Sequence, residues 1–204
     1  MTQQDYLKDL SEIKHLMNKS SRFISLSGLS GIMAGVYALI GSAYAYWLVT
    51  TSVKGYLILD GKIFNIVLLD LFFIAFCTVV TAIFFTVRKA KKNGESVFDK
   101  TGLRAMANFL IPLVTGGIYI LIILNQQKYG QTGALMLIFY GLALVNASKH
   151  TLGKIQYLGY IEIILGIICA ILPGYGFWLW VLGFGVMHII YGTFMHFKYD
   201  RKTL

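Results

Sequence analysis

Apolar residues along the chain fall into six runs, at about 24-50, 63-87, 104-125, 131-148, 155-173 and 177-197, with short polar stretches between them. An α-helix rises 1.5 Å per residue, so ~20 apolar residues are needed to cross ~30 Å of hydrocarbon, and each run is near that length. The pattern predicts an all-α integral membrane protein, a bundle of six transmembrane helices occupying residues 23-204. The first two runs are long enough to tilt or to project beyond the hydrocarbon, while the fourth only just spans it. Ahead of them, Tyr6, Leu10, Ile13 and Met17 recur at helical spacing behind a Thr2 cap with Asp5 three positions on, which predicts a short amphipathic helix within a cytoplasmic segment 1-22. Such a helix lies in the inner headgroup layer, pairs with its copy in a homodimer, or docks a cytoplasmic protein partner.

Composition reinforces the membrane assignment. With 57% hydrophobic and 13% charged residues among 204, the polar content is too low for a soluble globule, and the excess apolar surface must face lipid. The formal charge of +9 would suit nucleic acid in a soluble protein, but here its distribution sets topology instead. Fifteen of the 18 Lys and Arg residues lie in the N-terminal segment, the second and fourth connections and the tail; only Lys54, Lys62 and Lys128 fall on the other side. The positive-inside rule therefore places both termini in the cytoplasm. Trp47, Trp178 and Trp180 all fall at the opposite, outer interface, where an amphipathic indole is favoured. The basic run Arg88, Lys89, Lys91 and Lys92 then meets the anionic headgroups of the inner leaflet.

The first 22 residues mix both charge signs without an apolar core, unlike a cleavable signal. Cys77 and Cys169 fall at different depths of different runs, so no disulfide is expected. The segment SSRFISLSGLSGI, which ends at Ile32, resembles one found in small, uncharacterised bacterial six-span inner-membrane proteins. That resemblance covers the N-terminal fifth of the chain; it implies a bacterial inner membrane and no particular activity.

Small residues mark helix contacts. Ser27, Gly31 and Gly35 form one packing face on the first run, directed either within the bundle or at a second subunit. Gly116-Gly117 followed by Tyr140-Gly141 resembles Gly166 followed by Tyr191-Gly192, which suggests repeated helical hairpins.

Ionisable residues in mid-span normally face the bundle interior, and three stand out: Asp70, Glu162 and His188. Glu162 lies between Gly159 and Gly166, and His188 between Gly185 and Gly192, at the same spacing. Each of the two lies thirteen residues from Tyr175, at the turn between their helices, so antiparallel neighbours would bring them level. The flanking glycines would let the helices approach closely enough for direct or water-mediated contact. Burial and pairing act on such charges in opposite senses, so the pair would titrate as a unit and could hold one mobile proton. The bland alternative is a permanently satisfied polar clasp. Asp70 would line the outer half of any cavity or snorkel to the outer interface.

A metal is not expected, because His150 and His196 fall at the cytoplasmic boundary and do not join the pair. No GxSxG, HExxH, phosphate-binding glycine loop or cofactor motif occurs. The leading expectation is binding or transport of a small solute, ion or proton, with Glu162, His188 and Asp70 as its polar groups. A sensory or regulatory subunit engaging a cytoplasmic partner is the alternative, and a membrane-embedded enzyme the third reading. Transport of a solute past the pair predicts a hydrated cavity reaching Glu162; a dry, tightly packed environment around the pair would contradict it.

Overall fold

The computed structural model describes residues 27–51, 61–92, 97–151 and 155–200, and the helix expected over 2-20 lies outside them. Among the described residues the chain is all-helical. The helices are α1 (Gly28–Thr51), α2 (Lys62–Lys92), α3 (Lys100–Asn125), α4 (Thr132–Ser148), α5 (Ile155–Ile171) and α6 (Gly176–Lys198). Each coincides with one apolar run of the sequence. All but α5 belong to helices long and apolar enough to cross a membrane; α5 has 17 residues. The outward faces of α2 and α3 are strongly apolar, with Leu69, Phe72, Phe76, Ile111, Val114 and Ile118 all exposed. Only a lipid environment makes such faces favourable, and the protein is membrane-embedded.

Local chemistry explains several helix ends. Asp99 caps α3, its Oδ1 accepting from Gly102 N at 2.6 Å. α2 runs for 31 residues, longer than the hydrocarbon requires, and its last turn carries Lys89, Lys91 and Lys92 beside the negative end of the helix dipole.

The helices pack as two triplets. α1 contacts α2 and α6, and α4 contacts α3 and α5. The small-residue face of α1 packs inside the bundle, on α6. A methyl group at Gly35 would come 2.5 Å from Gly185 O, and one at Gly192 would come 2.5 Å from Ile32 N, so the two backbones nearly touch. The α4–α5 contact is built the same way, from Gly141 against Gly159 and from Gly166 against Ala134 and Ile138.

These contacts correct one expectation. The glycines flanking Glu162 face α4, and those flanking His188 face α1, so they do not draw α5 and α6 together. The opposite side of α6 instead supplies Leu179, Leu182, Phe184 and Met187 to a core formed by Ala134, Leu137, Leu165 and Cys169. Across α3 and α4, Asn146 Nδ2 donates to Asn108 O at 2.9 Å. Across α1 and α2, the Tyr37 and Thr81 hydroxyls are 3.1 Å apart. Cys77 and Cys169 are both free thiols.

Candidate functional site

Glu162 and His188 meet in the bundle. Glu162 is 0% exposed and His188 4% exposed, and His188 Nδ1 lies 3.5 Å from Glu162 Oε1. The contact depends on the winding of α6, which passes through a π-helical segment over Val181–Met187 immediately before His188. In a π-helix residues five apart stack, and such widened turns recur at functional sites. Here that geometry aligns the His188 ring with the Gly183 carbonyl, which accepts from Nδ1 at 2.9 Å. Gly183 also makes room for the carboxylate, since a methyl group there would lie 2.5 Å from Glu162 Oε2.

A third polar group converges on the pair. The Tyr140 hydroxyl, from α4, lies 2.8 Å from His188 Nε2. In the sequence Tyr140 stands out only as half of a Tyr-Gly repeat. The cross-helix contact left no signal, because it depends on the winding of α6.

The proton positions follow from the partners. A carbonyl oxygen only accepts, so Nδ1 of His188 carries a hydrogen directed at Gly183 O. In a neutral imidazole Nε2 then accepts from the Tyr140 hydroxyl. His188 is thus fully engaged, and 3.5 Å is too long for a well-formed bond from it to Glu162. Both carboxyl oxygens of Glu162 are buried without a hydrogen-bond partner among the described residues.

Two proton arrangements satisfy this geometry. In one, Glu162 is a neutral acid beside a neutral imidazole. In the other, Nε2 carries the proton, Tyr140 accepts from it, and an imidazolium faces a carboxylate. The pair is neutral overall in both, which avoids an isolated buried charge.

Asp70 occupies a separate place. It lines a cavity of ≈ 320 Å³ at the end of the bundle holding the α1–α2 and α3–α4 connections, with Phe64, Tyr129, Thr132, Phe177 and Trp180 among its walls. Neither Glu162 nor His188 lines it, so the expected cavity reaching Glu162 is not found among the described residues. The reason is packing. Trp180, Phe184 and His188 form a ladder along α6, with ring centroids 5.0 Å and 5.8 Å apart at its two steps, and Tyr140 closes on Phe184 at 5.1 Å. Trp180 is half-buried and forms part of the cavity wall. Tyr46 packs against Trp178 and Phe177 at the same end of the bundle.

No protein-family model matches this chain, and no curated protein or solved structure is detectably similar to it. Its functional reading rests on the site alone.

Proposed function

We propose that this is a six-span protein of a bacterial inner membrane, with both termini cytoplasmic, that binds and transports a small solute, ion or proton, and that Glu162 and His188 hold the proton involved. The six-span part is supported by the coincidence of six helices with six apolar runs, and the orientation by the distribution of Lys and Arg. The hairpin-repeat idea has one packing parallel: Gly141 meets α5 at Gly159, and Gly192 meets α1 at Gly28.

The observation that carries the functional reading is the buried Glu162 carboxyl, which has no hydrogen bond among the described residues. A structural clasp exists to satisfy its members, whereas here His188 is satisfied without Glu162, and Glu162 is left with no hydrogen bond. A buried ionisable group kept at such a cost inside a membrane is a functional candidate. The packed rings between the pair and the outer cavity argue against a solute passing Glu162 in this conformation. The reading is therefore narrowed to proton exchange at the pair, with solute held in the outer cavity. Tyr140 touches the pair, and Tyr191 is a further titratable side chain near Tyr140.

The test is proton flux into proteoliposomes under an imposed pH gradient. Wild-type protein should show pH-dependent flux that Glu162→Gln abolishes, because an amide cannot exchange the proton. Equal flux in the two proteins at every pH would defeat the proposal.

A further inference from the structure

We propose that the outer cavity binds a small organic monocation, a protonated amine, with Asp70 as its counter-charge. This assignment rests on the reading of the protein as a membrane-embedded solute binder, but not on the proton chemistry of Glu162 and His188.

Among the described residues, Asp70 is the one ionisable carboxylate or base in the lining, and none of them hydrogen-bonds it or forms an ion pair with it. Its Oδ2 is held against α1, 3.0 Å from where a methyl group on Gly41 would sit. Asp70 is half-buried, and a carboxylate within a membrane-spanning helix is stabilised by a compensating positive charge or a proton.

The rest of the lining decides what kind of cation fits. A hard metal ion needs about six to eight oxygen ligands, or several retained waters, and the wall offers too few. The Ser42 hydroxyl is already committed to Leu39 O at 2.9 Å, and among the described residues no group of three or more His, Cys, Asp or Glu comes together. The remaining surface is apolar and aromatic, with the rings of Phe64, Tyr129, Phe177 and Trp180 around the space. Aromatic faces attract organic cations and cover their hydrocarbon parts.

Two polar groups lie behind the cavity wall. Thr132 Oγ1 and Trp180 Nε1 are both buried without a partner, and both belong to lining residues. The volume of ≈ 320 Å³ lies at the low end for small-molecule sites and matches a solute of about ten heavy atoms.

The experiment uses the full chain in nanodiscs and equilibrium calorimetry with three probes of one shape: benzylammonium, benzyl alcohol and benzoate. Benzylammonium should bind about tenfold or more tightly than either other probe. Asp70→Asn should remove that preference while leaving weak benzyl alcohol binding, which shows that the cavity has stayed folded. Asp70→Glu should keep the preference. Equal binding of benzylammonium and benzyl alcohol by wild type, or an undiminished preference in Asp70→Asn, would overturn the assignment. No pH gradient is applied, so the outcome is independent of whether Glu162 exchanges a proton.

Discussion

Glu162→Leu is expected to stabilise the solubilised protein, and His188→Leu to destabilise it. Removing the imidazole leaves the Gly183 carbonyl and the Tyr140 hydroxyl without their partner, at roughly 1–3 kcal/mol for each group so orphaned. Removing the carboxyl orphans nothing, because neither of its oxygens is hydrogen-bonded. Leucine has a similar volume, and its surroundings include Leu137 and the neighbouring core of Ala134, Leu165 and Cys169. Replacing a buried polar group by a packed apolar one in such a place is often neutral or stabilising. Unfolding in mixed micelles measures both variants. If Glu162→Leu proves the more damaging, the carboxyl is a structural clasp and its functional reading fails.

The second large effect concerns the α4–α5 contact. Gly141→Leu should leave little folded protein, because even the first carbon of the new side chain would come 2.6 Å from Gly159 O and 2.9 Å from Ile163 N. A flexible side chain could move aside, but a helix backbone cannot, and overpacking of this kind costs about 1–3 kcal/mol or more. Gly117→Leu is the matched control, since nothing lies within 4 Å of the added carbon there. Size-exclusion profiles and thermal unfolding of the two variants should differ sharply. Similar profiles would mean that α4 and α5 do not meet through these glycines.

Much of the fold was legible because long apolar runs in a membrane must fold as helices, which satisfy their backbone groups internally. Six apolar runs correspond to six helices, with ends displaced by a few residues where caps and connections decide them. The meeting of Glu162 with His188 was legible from equal distances to the turn at Tyr175. The means of their meeting was not. Counting residues on an ideal α-helix assigns the glycine stripes to the α5–α6 contact, whereas they face α4 and α1. The π-helical stretch over Val181–Met187 changes which residues share a face with His188, and no rule of periodicity marks it. For the same reason Tyr140 and Gly183 were missed as members of the cluster. Asp70 lines a cavity at the end of the bundle that holds the α1–α2 and α3–α4 connections, the end to which its depth along α2 points.

The proton held on either Glu162 or His188 is the centre of this account, and infrared difference spectroscopy across a pH titration observes it directly on the carboxyl. Reconstituted wild-type protein should show the carbonyl stretch of a protonated, buried carboxyl group that disappears reversibly as the pH is raised. Glu162→Gln should lack that band. A wild-type spectrum in which no Glu162-dependent carboxyl band appears or changes at any pH would contradict the assignment of a mobile proton to this pair.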